Sequence, residues 1–331
     1  MRYWLAGLLL LATGCAAAPA PQPQAAGKHV TIENCGRTLT FDKPPSKVVT
    51  GYHPALETLL TLGLQDKVAA RTNFTELGPD GFLPGQKQHY DAIPEISSTI
   101  MLPQKEIMLS QGADFVLDNS MASFDAAGGY ATVEELDAAG APVYIMGGWC
   151  SPQEQLEFTV EDTLTDLRNL GKIFGVEERA EAVVADLQAR LDDVRDRVKD
   201  LPPKRVLATD GGEGPVNAFG GAGIMNQLIT LAGGVNVLAD VKADYTEVSV
   251  EKVATSDPEA LLVLDYANLR GENMPAAKAK ADLAYGMTKG SPLAAKKEFL
   301  PVPAAAAHPG YRNVLAVFDI ARHLHPEAFK E

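Results

Sequence analysis

Residues 177–201, EERAEAVVADLQARLDDVRDRVKDL, limit what this chain can fold into more than any other stretch. Ala180, Val184, Leu187, Leu191, Val194, Val198 and Leu201 recur at alternating steps of four and three, and charged or amide side chains fill the other faces. That spacing predicts one long amphipathic helix. At about 1.5 Å of rise per residue it reaches roughly 35 Å, enough to cross a domain. Pro202 and Pro203 stop it, because proline lacks the amide donor and disfavours helix in the residue before it. A coiled coil uses the same stripe, but ~3 heptads in a single copy is the least that pairing needs. Position favours another role: the stretches on either side, 46–175 and 202–331, are equal in length. The helix is expected as a rigid strut between two lobes.

A chain of 331 residues suits two domains, and 46% hydrophobic with 22% charged residues is an ordinary globular composition. The N-terminus, MRYWLAGLLLLATGC, has one arginine and an apolar run too short to span a bilayer, so residues 1–14 read as a secretory signal. The small residues before Cys15 resemble the lipobox of bacterial lipoproteins, with Ala12 where leucine is usual; the resemblance implies cleavage before Cys15 and a lipid on its sulfur. Residues 15–27, rich in alanine and proline, have too little bulky apolar surface to fold and read as a flexible tether to the membrane. If Cys15 carries lipid, Cys35 and Cys150 remain as one pair in an oxidising compartment, where a disulfide is expected. Closing a loop of that size contributes about 4 to 5 kcal/mol in the chain-entropy account. The net charge of −14 argues against nucleic acid as a partner, and any anionic ligand would need locally placed arginines.

Residues 29–41 alternate around Asn34, Cys35 and Gly36 and predict a β-hairpin. Beyond it, short apolar runs ending at Thr50, Ala70, Leu117 and Met146 each lead into a loop and then a helix. Strand and helix in alternation predict a mainly parallel sheet with its ligand loops at the carboxyl ends of the strands. Ser151, Pro152 and Glu154 open a helix predicted to run to Phe174, with Gly175 separating it from the strut. The alternation resumes after Pro203, with strands at 205–209 and 260–264 and a helix at 224–232. Two passages match: Glu106 precedes Asp114 by eight residues ahead of one strand, and Glu251 precedes Glu259 by eight ahead of another.

Signatures of catalysis are scarce. There is no G-x-S-x-G elbow, H-E-x-x-H helix or phosphate loop, and Gly221-Ala222-Gly223 has Asn226 where a dinucleotide fingerprint needs its third glycine. No catalytic residue, direct metal ligand or cofactor is assigned. His323 and His325, at a helix end, read as structural, whereas His53 and His308 fall in candidate pocket loops and make a zinc or manganese site an alternative. Tyr52, Trp149, Tyr266 and Tyr311 stand where they could stack on a large ligand, and Arg71, Arg270 and Arg312 occupy comparable loops, where guanidinium groups suit carboxylate or chelate oxygens.

In this order and behind a lipobox, four features resemble one family, the substrate-binding lipoproteins of ABC importers for ferric siderophores, vitamin B12 and haem. They are Glu57-Thr58-Leu59-Leu60 with Leu62-Gly63-Leu64, the stretch from Ala232 to Val237, the two matched glutamates and the single helix between lobes. The resemblance covers nearly the whole chain. It implies a periplasmic-binding-protein-like α/β fold of the helical-backbone type: an N-terminal lobe at 28–175, a linker helix at 176–201 and a C-terminal lobe at 202–331, each lobe with a mainly parallel sheet. Ligand would lie between the lobes, closure would be modest, and Glu106 and Glu251 would dock on arginines of the permease. A ferric siderophore is the first expectation, its oxygens met by Arg71, Arg270 or Arg312 and its body by the aromatic residues. Cobalamin or haem comes next, disfavoured by Asn73-Phe74 where several such binders have tyrosine. A secreted α/β hydrolase is the alternative from another class.

Overall fold

The computed structural model describes residues 29–72, 82–266 and 276–330. Cys15, the signal, the tether and Arg270 lie outside the described residues. The hairpin forms as expected: β1 (Val30–Asn34) pairs antiparallel with β2 (Arg37–Phe41). Cys35 and Gly36, at φ 54° and 66°, supply the two left-handed residues that such a tight turn requires.

The N-terminal lobe follows as β3 (Val48–Thr50), α1 (His53–Thr61), β4 (Val68–Thr72), α2 (Gln86–Ala92), β5 (Glu95–Ser97), α3 (Lys105–Ser110), β6 (Phe115–Asp118), α4 (Val133–Ala138) and β7 (Val143–Ile145). Its five strands are all parallel, in the order β5-β4-β3-β6-β7. Every residue of β3, β6 and β7 is buried, as befits strands covered on both faces.

After β7 the predicted single helix is two, α5 (Pro152–Glu157) and α6 (Val160–Phe174). Phe158 leaves helical geometry at ψ 138° and buries its ring, and Thr159 restarts the chain by offering its amide to Asp162 Oδ2 at 2.8 Å. Thr159 and Asp162 are a capping pair hidden inside an otherwise helical pattern. Gly175, left-handed at φ 67°, ends α6, and the strut follows as α7 (Glu177–Val198). It stops three residues short of Leu201, whose side chain is exposed. Ala180, Val184, Leu187, Val194 and Val198 are buried, and α7 packs along α6 so closely that a Cβ on Gly171 would lie 2.5 Å from Ala180 Cβ.

The C-terminal lobe contains β8 (Lys204–Gly211), β9 (Val216–Phe219), α8 (Gly223–Leu231), β10 (Gly234–Asn236), β11 (Tyr245–Val248), α9 (Val250–Ala254), β12 (Ala260–Asp265), α10 (Ala277–Met287), α11 (Pro292–Lys296), β13 (Leu300–Pro303) and α12 (Tyr311–Leu324). Its sheet runs β11-β9-β8-β12-β13, with β10 also on β8; β9 runs against the others and pairs antiparallel with both β8 and β11. The α/β class and the two lobes with mainly parallel sheets match the sequence reading.

One apolar core continues from the N-terminal sheet through α6, α7 and α12 to one face of the C-terminal sheet. A second core fills the opposite face of that sheet, beneath α9, α10 and α11. Among the described residues no helix is long and apolar enough to cross a membrane.

Candidate functional site

The carboxyl ends of β3, β6 and β7 meet the segment that follows β13, and this seam joins the two lobes. Tyr52 leaves β3 and meets His308 edge-on, with ring centroids 4.8 Å apart. Trp149, the residue directly after a short helical turn (Met146–Gly148) that follows β7, lies 5.5 Å from the same imidazole and 6.0 Å from Phe158. His308 Nδ1 pairs with the carbonyl of Ala304 at 3.0 Å, and burial holds its pKa below the ordinary histidine value despite that carbonyl. A neutral imidazole thus sits between two aromatic rings. Below it, Asn119 Nδ2 donates to the carbonyl of Pro309.

The second tie across the seam is ionic. Glu57, in the middle of α1, receives two hydrogen bonds from Arg312 Nε, at 2.7 and 3.0 Å, and one from Nη2 at 2.7 Å. Burial opposes ionisation of this carboxyl, but His53, with Nε2 at 3.8 Å, and the Arg312 guanidinium outweigh it and hold the pKa below the usual glutamate value. Two further bonds flank the seam: Gln155 Nε2 to Asp244 Oδ2 at 3.3 Å, and the amide of Val160 to Gln227 Oε1 at 2.7 Å.

Several buried polar atoms here have no hydrogen-bond partner, namely Thr50 Oγ1, both ring nitrogens of His53, Asp118 Oδ2, Asn119 Oδ1 and Trp149 Nε1. Such atoms are rare in a folded interior, and those of Thr50, Asp118, Asn119 and Trp149 lie at or just past the carboxyl ends of β3, β6 and β7. Asp118 closes the set from β6. Its Oδ1 accepts from the amides of Asn119 and Ser120 at 2.6 and 3.2 Å, while Oδ2 lies where a Cβ on Gly51 would be, so residue 51 has no room for a side chain. Burial pushes this carboxyl up to about 7, against the pull of Ser123 and the two amides.

The structure therefore brings Tyr52, Trp149 and His308 together, while Arg71 and Arg312 are engaged by protein partners. Arg71 is buried in β4 with Nε on the Tyr90 carbonyl at 3.1 Å, Nη1 on the Tyr90 hydroxyl at 2.8 Å and its guanidinium over the Tyr90 ring at 3.7 Å. Arg312 is at the seam but engaged by Glu57. Tyr266 stands apart in the C-terminal lobe, where Asp210 accepts from Tyr245 at 2.9 Å, Tyr266 at 3.4 Å and the buried Lys280. Tyr311, which opens α12, lies in the field of Arg190 and Asp186 on the strut. His53 turns inward to Phe82 and Tyr90, each with its centroid 5.9 Å away. Among the described residues no three His, Cys, Asp or Glu side chains converge to hold a metal. A surface cavity of about 460 Å³ lies elsewhere, along the strut between Leu191, Val198 and Leu231.

Sequence reasoning missed Glu57, Asp118, Asn119 and Phe158 as seam residues. A lone carboxylate inside the apolar run HPALETLLT was the available sign of Glu57. Cys35 and Cys150 are joined, with Cα atoms 5.4 Å apart. Glu106 and Glu251 both stand exposed in the first turns of α3 and α9, which precede β6 and β12.

Comparison with known proteins accords with this architecture. A periplasmic binding protein from Veillonella parvula superposes with a TM-score of 0.75 at 24% identity, covering 90% of this chain and 98% of that one. The structure described as an ABC-type Fe3+-hydroxamate transport system from Saccharomonospora viridis gives 0.68 at 25%, covering 91% and 99%. A vitamin B12-binding protein of Yersinia pseudotuberculosis is 24% identical over 131 residues, 40% of this chain, and the match spans 43% of that relative's length. The pattern of one family, described as periplasmic binding protein, matches residues 48–284. Its members capture substrates and are not enzymes, which removes the hydrolase alternative; the chain belongs to the periplasmic binding protein family.

Proposed function

We propose that this chain is an extracytoplasmic lipoprotein, anchored through Cys15, that captures an electroneutral ferric chelate of the hydroxamate type between its lobes and delivers it to an ABC permease. The observation that carries the reading is the charge state of the seam. Tyr52, Trp149 and the neutral His308 supply aromatic surface, while Arg312 is neutralised by Glu57 and Arg71 is held by Tyr90 and Glu95. Three hydroxamate monoanions cancel the charge of one ferric ion, whereas three catecholate dianions leave a trianion. A net charge of −14, with Arg71 and Arg312 both engaged within the protein, disfavours the trianion and suits the neutral complex. The orphaned polar atoms of Asp118, Asn119 and Trp149 suit a ligand rich in amides. The likeness to a hydroxamate transport structure supports the same choice.

Cobalamin is the second reading, favoured by the vitamin B12-binding relative and by the same uncharged aromatic surface. Haem, with two carboxylates to neutralise, fits less well. The exposed Glu106 and Glu251 are the proposed permease contacts, one on each lobe.

Titration of Trp149 fluorescence in full-length protein carrying Trp4→Phe tests the reading, since these are the two tryptophans of the chain. Saturable quenching by a ferric trihydroxamate, with none by its iron-free form, a ferric tris-catecholate or haemin, is expected. Binding of the catecholate or haemin alone would overturn it, and binding of cobalamin alone would select the second reading.

A further inference from the structure

Trp149 stands on a segment with little conformational restraint of its own. Gly147 and Gly148 precede it, both in the left-handed region at φ 63° and 62°. Two such glycines in succession leave an isolated loop free to sample many conformations. In the folded protein the segment is tied at three points. Ile145 is held by the Asn34 side chain, whose Oδ1 accepts from its amide and whose Nδ2 donates to its carbonyl, each at 2.8 Å. The amide of Gly147 donates to Asp166 Oδ2 on α6 at 2.6 Å. Cys150, the residue after Trp149, is bonded to Cys35.

Two of these ties come from the turn of one hairpin. Arg37, on its second strand, adds a hydrogen bond from Nη2 to the carbonyl of Val143 at 3.0 Å. β7 is an edge strand, and an edge strand ordinarily leaves its outer amides and carbonyls to water or to another chain. Here a single asparagine amide takes the place of a neighbouring strand's peptide group. Asn34, Cys35 and Arg37 therefore all act on residues 143–150, directly beneath the indole.

We propose that the β1–β2 hairpin is a positioning device for Trp149: Asn34 and the Cys35–Cys150 disulfide fix the glycine-rich segment so that the indole is already placed against His308 and Phe158 before ligand arrives. Asn34, Cys35 and Cys150 touch no ligand in this arrangement and act through Trp149. A preset indole raises affinity by removing the ordering cost from the binding step. The consequence for affinity rests on the function proposed above; the consequence for the indole itself does not.

The test uses full-length Trp4→Phe protein with and without Cys35→Ala/Cys150→Ala, and a separate Asn34→Ala variant that retains the disulfide. Acrylamide quenching and anisotropy of Trp149 are measured without ligand, alongside far-UV circular dichroism and binding of a ferric trihydroxamate. Both variants are expected to keep the helical signal at 25 °C, to show a Trp149 quenching constant raised at least twofold with lower anisotropy, and to bind the chelate about tenfold more weakly. Asn34→Asp, which keeps the acceptor for the Ile145 amide and loses the donor, is expected to fall between wild type and Asn34→Ala. Folded variants whose indole is as protected as in the wild type would overturn the proposal. If the double cysteine variant does not fold, Asn34→Ala decides alone. Failure of every chelate to bind the wild type would count against the proposed ligand, while the ligand-free indole measurements still decide the positioning role.

Discussion

Asp118 shows how a single buried acid makes this fold respond to pH. Its carboxyl keeps a proton to about 7 in the folded chain, while the unfolded chain releases it near the ordinary value of 3.8. Between those limits the folded state binds more protons, so this residue's contribution to stability falls as pH rises from about 4 to 7 and is level above. Asp118→Asn removes the titration, and its melting temperature relative to wild type should climb from pH 5 to pH 8, by the equivalent of at most about 3 kcal/mol. A difference independent of pH would show that the acid does not titrate in that window. Glu57 gives the opposite case, a carboxylate held charged by Arg312. Removing one partner of a buried pair typically costs about 3–5 kcal/mol, whereas replacing both by apolar groups is often near neutral. Arg312→Met should therefore lower the melting temperature sharply, and Glu57→Leu/Arg312→Met should recover most of the loss; equal damage from both variants would point to a packing role instead. The sequence could not disclose this pair, because 255 positions separate its members and nothing local marks them as partners. The same holds for Arg71, an arginine in a loop-ending strand whose engagement by Tyr90 depends on how α2 packs.

Elements were more legible than contacts, because their signals are local. The strut was written in a repeated spacing, the hairpin in Asn34-Cys35-Gly36, and the end of α6 in Gly175. The break between α5 and α6 was not, since Leu156, Val160 and Leu164 continue a helical period straight across it. What breaks the helix there is tertiary: Phe158 turns under Trp149, and Thr159 caps the helix that follows. The close pairing of α6 with α7 was likewise invisible, because it depends on two small residues facing each other, Gly171 and Ala180. Alanine at 171 would gain about 1 kcal/mol of helix propensity but lose about 1–3 kcal/mol to overpacking. Gly171→Ala is accordingly expected to destabilise, and Ala180→Gly in the same chain to relieve it. Chemical denaturation of the three proteins would check the order, and a more stable Gly171→Ala would mean the helices separate readily.

At the scale of the whole molecule, the proposed docking role predicts a separation of functions. Glu106→Arg/Glu251→Arg, with both changes on exposed first turns of helices, should leave chelate affinity unchanged while abolishing ligand-dependent stimulation of permease ATPase activity in liposomes. Loss of chelate binding in that variant would contradict the separation. The apolar core that runs unbroken from one sheet, through the strut, to the other bears on a different property. The C-terminal lobe keeps a second core on the far face of its own sheet, but opening either lobe exposes the apolar surface that the two share, which ties their melting together. The lobes should thus be halves of one cooperative unit, with calorimetry showing a single transition whose measured and van't Hoff enthalpies agree. Neither half, expressed by itself, would be expected to hold its shape.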